Sequence, residues 1–187
     1  LGNVYKRQQE TRRYTPAHPA GLPLVSGRPP PLIIPQGVAD QRPVEDRQDV
    51  LVYTSESLAR ELEVTGPIKV HLFASSSAVD TDFTAKLVEV RPDGYAQNLQ
   101  DGIIRGRYRT SAGEPSFLEP GKVYEFEIDL WSTSHLVKAG HQLRVEVSSS
   151  NFPRFDRNPN TGAPIGQDSR LEPARQTVHH SSDYPSH

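Results

Sequence analysis

The stretch "VYEFEIDL", Val123 to Leu130, sets Tyr124, Phe126, Ile128 and Leu130 on one face of an extended chain and Glu125, Glu127 and Asp129 on the other. Strict alternation with period two does not suit a helix, whose faces recur every 3.6 residues, and predicts a half-buried β-strand. "IKVHLFAS" repeats the pattern, with Ile68, Val70, Leu72 and Ala74 against Lys69, His71, Phe73 and Ser75. Similar segments run from Leu51 to Thr54, Phe83 to Val90, Ile103 to Arg109 and Leu143 to Ser149, and "RQTVHH", Arg175 to His180, is a candidate for one more. Pro92-Asp93-Gly94, Pro120-Gly121 and Ala139-Gly140 separate them. Proline presets one turn position and glycine supplies positive φ, so these are turns with a mechanism. Many short strands with regular punctuation predict an all-β antiparallel domain, a sandwich or jelly roll.

The 187 residues contain 17 prolines and only 34% apolar residues, which implies one core with unstructured ends. Residues 1–8 include "NVYKRQ", Asn3 to Gln8, which looks like a translated sequencing-library adaptor. They are expected to be artificial, with the natural protein continuing upstream. Residues 9–48 are expected to form an extended Pro-rich connector around "GRPPPLIIPQG", whose Leu32, Ile33 and Ile34 would lie along a surface. Residues 49–187 form the β domain. Its alternation fades after Gly162, and the chain stops at "DYPSH", Asp183 to His187, so its last strand is expected to be missing.

A formal charge of -2 offers no broad cationic surface, which argues against nucleic acid. No apolar run is long enough for a membrane span and no export segment is visible, leaving a soluble, cytoplasmic location as the default. With no cysteine, disulfides, thiolate metal sites and a cysteine nucleophile are excluded. One charge pattern goes further. Arg105, Arg107 and Arg109 share a face, as do Glu125, Glu127 and Asp129 of the next strand. They are expected to face each other across a ladder, each opposed pair giving about 0.2–1 kcal/mol. The alternative is an arginine row that docks a neighbouring domain or an anion.

Candidates for chemistry are few. An α/β-hydrolase nucleophile needs a G-x-S-x-G elbow, and none occurs. Ser75-Ser76-Ser77 and Ser148-Ser149-Ser150 fall at strand ends, where hydroxyls bond to backbone. His179, His180 and His187 with Asp183 lack metal-ligand spacing and read as solvated, while His71 and His141 show no acid partner in the sequence. Asp80-Thr81-Asp82 and Asp156-Arg157-Asn158-Pro159-Asn160 offer hard ligands, but Arg154 and Arg157 put positive charge where a cation would sit. Asx-turns and salt bridges explain the same residues. Catalytic, cofactor-binding and metal residues are therefore assigned to none, and no cofactor is expected.

The series Val64-Thr65-Gly66-Pro67, "SAVDTDF" (Ser77 to Phe83), Val90-x-Pro92-Asp93-Gly94, "AGHQLR" (Ala139 to Arg144) and "SSSNFPR" (Ser148 to Arg154) resembles, in order, the C-terminal domain of the cocaine-esterase-like (CocE/NonD) hydrolases. These are relatives of X-prolyl dipeptidyl-peptidases and α-amino-acid ester hydrolases. The resemblance covers most of Ala39 to Gly162. It implies a galactose-binding-like jelly roll appended to an upstream α/β-hydrolase domain, which would be its partner and would hold the whole Ser-His-Asp triad. The parent enzyme would cleave a small ester or amide through an acyl-enzyme. "YPSH", Tyr184 to His187, resembles the segment before the family's last strand. A homo-oligomer is left open. The alternative function is a stand-alone carbohydrate- or ligand-binding module, using Trp131 with Tyr95 or Tyr124.

Overall fold

A computed structural model describes residues 3–6 and 38–187 except Pro153 and Ser169, so Leu32, Ile33 and Ile34 lie outside the described residues. The strands are β1 (Asn3–Lys6), β2 (Leu51–Thr54), β3 (Leu62–Ser76), β4 (Asp82–Val90), β5 (Ala96–Arg105), β6 (Tyr124–Val137), β7 (Gln142–Ser148), β8 (Arg175–Val178), β9 (His180–Ser181) and β10 (Tyr184–Pro185). One helical turn, α1 (Arg42–Glu45), precedes β2. All pairings are antiparallel, in two four-stranded sheets ordered β1-β8-β3-β6 and β2-β7-β4-β5, with β9-β10 a separate hairpin. Strands four and five, three and six, two and seven, one and eight are partners, and successive pairs fall in alternate sheets. A long hairpin rolled so that its rungs alternate between two layers is a jelly roll, as the alternation and turns predicted.

The core lies between the layers. Leu72 and Ala74 of β3 and Phe126, Ile128 and Leu130 of β6 meet Phe83 and Ala85 of β4 and Val147 of β7. The rings of Phe83 and Phe126 lie 4.7 Å apart across the two sheets. A large apolar side chain buried there contributes roughly 1.5–3 kcal/mol. Along one side of the sandwich β5 passes so close to β6 that a Cβ on Gly102 would stand 2.1 Å from the Asp129 carbonyl oxygen. Only glycine permits that approach.

Three expectations change. The arginine and acid rows do not pair, because β5 and β6 belong to different sheets. Instead β6 pairs with β3, so Lys69 meets Glu127 at 2.6 Å and His71 meets Glu125 at 2.9 Å. The expected strand from Ile103 to Arg109 ends at Arg105 and turns into a 3₁₀ segment, Gly106–Tyr108, because Asp80 accepts the Arg107 backbone N–H at 2.9 Å. Part of the expected connector is folded onto the domain: Asp40 bridges Gln97, Gln41 N–H donates to the Ala96 carbonyl at 2.8 Å, and Val44 is buried. Asn3–Lys6 pair with β8 at the edge of the first sheet.

Candidate functional site

The loops that carry the most distinctive sequence converge at one end of the sandwich. Asp80 precedes β4 and Asp82 opens it, Arg105 ends β5 and Arg107 follows it, and Asn158 comes from the loop after β7; Asp80, Asp82, Arg107 and Asn158 are buried. Arg107 donates from Nε to Asp80 Oδ2 at 2.7 Å and from Nη2 to the Ala163 carbonyl at 3.0 Å. Arg105 forms a two-pronged pair with Asp82 at 3.0 and 3.1 Å. The Asn158 amide donates to both carboxylates, each at 2.8 Å. Burial pushes the Asp82 carboxyl up in pKa, against the pull of Arg105 and Asn158. The oxygens that suggested a cation site are thus engaged by two guanidinium groups and an amide. Among the described residues no cluster of three or more His, Asp or Glu side chains is arranged to hold a metal.

Asn160 takes a left-handed φ of 65°, with its backbone N–H held by Asn158 Oδ1 at 2.9 Å, so the loop closes on an Asx-turn. Beside it opens a cleft of about 420 Å³ that includes Arg105, Arg107, Phe152, Arg157 and Ile165 in its lining. Arg157 stacks over Phe152, 5.3 Å from the ring centre.

The serines serve the backbone. Ser76 Oγ accepts the Ala78 N–H, Ser77 Oγ accepts the Arg175 N–H, and Ser148 Oγ meets Thr84 Oγ1 at 2.7 Å. Ser75 Oγ lies 3.2 Å from His179 Nε2, but among the described residues no carboxylate reaches the other nitrogen of that ring. The tail histidines make separate contacts, with His180 and His187 still exposed at the surface. His180 meets the Tyr53 hydroxyl at 2.8 Å, and His187 stacks on His71 with ring centres 5.0 Å apart. His71 and His141 do have acid partners: Glu125 for the first and Glu89 for the second, at 2.7 Å. Buried Glu89 also accepts from His135 at 2.9 Å. Burial opposes its charge, yet the two histidine bonds outweigh that and hold its pKa below the usual range. Sequence could have flagged Glu89, a carboxylate inside the apolar run of β4.

Trp131 is neither core nor at a strand end. Between the pairs Pro67–Ser132 and Lys69–Asp129, β3 has one residue and β6 has two, Leu130 and Trp131. This is a β-bulge, and it re-aims side chains. Leu130 keeps the inward place and is fully buried, while Trp131 turns outward, 65% exposed, at a φ of 65°. The Asp129 carboxylate accepts the Trp131 backbone N–H at 2.7 Å and fixes the bend. A left-handed conformation costs a residue with a Cβ roughly 1–2 kcal/mol. Tyr124 lies seven residues along the same strand, about 20 Å away at the rise of an extended chain, and is covered by Arg109 and Lys122. Trp131 and Tyr124 therefore do not form a common sugar platform.

These features define a jelly roll whose polar clusters tie loops and sheets together, with structural partners for the described histidines and for Ser75, Ser76, Ser77 and Ser148. The chain belongs to the family of X-Pro dipeptidyl-peptidase C-terminal non-catalytic domains, whose model matches residues 3–187. It is 52% identical over 153 residues to a cocaine esterase of Rhodococcus sp. (strain MB1 Bresler), covering 81% of this chain and 27% of that protein. It superposes with a TM-score of 0.76 and 39% identity on an aminopeptidase from a marine sediment archaeon (Thaumarchaeota archaeon), covering 80% of this chain and 26% of the other. A selenomethionine-labelled α-amino acid ester hydrolase gives the same TM-score and coverage at 37% identity. The chain therefore spans about a quarter of the length of these relatives. It is a C-terminal, non-catalytic domain of the CocE-like hydrolases.

Proposed function

We propose that this domain completes a serine hydrolase that cleaves a small ester or amide through an acyl-enzyme, and that it serves as a packing surface for an upstream α/β-hydrolase domain. The observation that carries the reading is the 52% identity to a cocaine esterase across 81% of the chain, against only 27% of that enzyme. The nucleophile, oxyanion donors and substrate pocket would lie in the remainder. A further strand after His187 fits the same reading. His71 and His187 exchange backbone hydrogen bonds at 2.8 and 2.9 Å, and among the described residues β3 carries β6 alone from Leu62 to Lys69. That leaves an open edge of the kind a strand covers.

The test is turnover of a nitrophenyl ester and an Xaa-Pro anilide by the full-length protein and by this chain. Turnover is expected from the full-length protein with at least one of them and from the chain with neither. Turnover by the chain alone, or none by the full-length protein, would overturn the proposal.

A further inference from the structure

We infer that Trp131 is the anchor by which this domain docks on its own upstream hydrolase domain, an inference that rests on the function proposed above. The bulge gives β6 an extra residue in a left-handed conformation that suits glycine, yet the largest side chain stands there. The fold does not need that side chain, since Leu130 already fills the core position. Among the described residues the indole has no ring, cation or hydrogen-bond partner, and Trp131 is tied to Asp129 through its backbone N–H. A bulky aromatic held rigidly outward by a strained backbone has its geometry set before a partner arrives, so little freedom is lost on docking.

The surroundings fit an interface centre. Beyond Trp131 the exposed face of β6 carries Ser132, Ser134 and then Leu136, which is 49% exposed. Across the ladder stand Pro67, Thr65 and, opposite Leu136 at the far rim, Glu63; Thr65 Oγ1 donates to Glu63 Oε1 at 2.9 Å and meets Ser134 Oγ at 3.1 Å. From Trp131 to Leu136 this strip is uncharged on the β6 side, whereas the other half of the same face carries the Glu125, Glu127 and Asp129 row with Lys69 and His71. Interface centres lose charged residues and gain aromatic ones, and tryptophan is over-represented among the residues that dominate binding. Length favours one occupant: the relatives extend over about four times the span of this chain, so a whole protein of that length supplies, within the same polypeptide, a large surface on which Trp131 can dock.

The inference is tested by hydroxyl-radical footprinting of the full-length protein, in a preparation whose ester or anilide turnover has been measured. Normalised for intrinsic reactivity, Trp131 should react like the buried Phe83 and Phe126 and unlike the exposed Phe117. If the enzyme turns over substrate and Trp131 reacts as an exposed residue, this inference fails while the proposed function stands. If the full-length protein turns over neither substrate, the proposed function fails first, and the inference with it. Protection lost on dilution to the monomer would assign the face to a second copy and overturn the inference. A second variant separates docking from local structure. Trp131→Gly relieves the left-handed strain, so a purely local role predicts an unchanged or higher Tm; docking predicts a lower Tm in the full-length protein.

Discussion

Replacing Glu146 with glutamine should make the domain more stable at pH 8 and hardly change it at pH 5. Glu146 sits on the outer face of β7 under α1, 3% exposed, with Lys86 Nζ at 3.8 Å and Glu45 beside it. Glu45 is itself held by Arg144 at 2.6 Å. One oxygen of each carboxylate is buried with no donor, a conflict that disappears if Glu146 keeps its proton and shares it with Glu45. Burial accordingly raises its pKa from 4.5 to about 7, with Lys86 opposing and Glu45 reinforcing the shift. In the unfolded chain the carboxyl ionises near the ordinary value. The stabilisation is therefore full below about pH 4.5 and is lost as pH rises through 7. At about 1.36 kcal/mol per pH unit, the interval from 4.5 to about 7 is worth about 3 kcal/mol. Glutamine imitates the protonated carboxyl at every pH. At pH 8 the variant should melt about 5–10 °C higher than the natural protein, with the two converging at pH 5. Thermal melts at pH 5, 6, 7 and 8 followed by circular dichroism measure this. Parallel pH profiles, or a less stable glutamine variant at pH 8, would refute the reasoning.

Three other substitutions probe the loop network and the seams of the sandwich. Asp80→Ala leaves Arg107, 5% exposed, without its carboxylate, and should lower stability by about 3–5 kcal/mol in denaturant titrations. Gly102→Ala pushes a methyl group into the Asp129 carbonyl and should cost about 1–3 kcal/mol, read as a fall in Tm and faster amide exchange in β5 and β6. Glu89→Gln weakens the bonds from His135 and His141 and should cost about 1.5–3 kcal/mol at pH 7. Because the Glu89 pKa is held below 4.5, its stabilisation is present above that pH and is lost as pH falls through the folded value. The natural protein and the Glu89→Gln variant should therefore converge in acid melts.

The strands are legible because their environment is simple: β3 and β6 each bury one face, so Val70, Leu72, Phe126 and Ile128 announce it by alternation. Sheet membership is not legible, because alternation says which face is buried and nothing about which strand lies alongside. That is why the pattern matches Arg105 and Arg107 with β6 acids when their partners, Asp82 and Asp80, precede them in the chain. The end of β5 escapes for a related reason. Gly106 and Arg107 leave the strand in response to Asp80 and the Thr81 carbonyl, contacts that local pattern cannot carry. The hard-ligand loops stand out in the sequence, along with the positive charge that competes for them, although the arginines that fill the site are 105 and 107 and not 154 and 157. Arg154 pairs with Asp101 on β5. Trp131 is noticeable by its type, but its exposure follows from a one-residue mismatch between two strands, which becomes visible only when both are aligned.

The most direct test of a non-catalytic domain on a serine hydrolase is where an acylating probe attaches. The full-length protein treated with a fluorophosphonate and mapped by peptide mass spectrometry should carry the adduct on a serine preceding this chain, with Ser75, Ser76, Ser77, Ser148, Ser149 and Ser150 unmodified. An activity-dependent adduct on any serine of this chain would contradict the account.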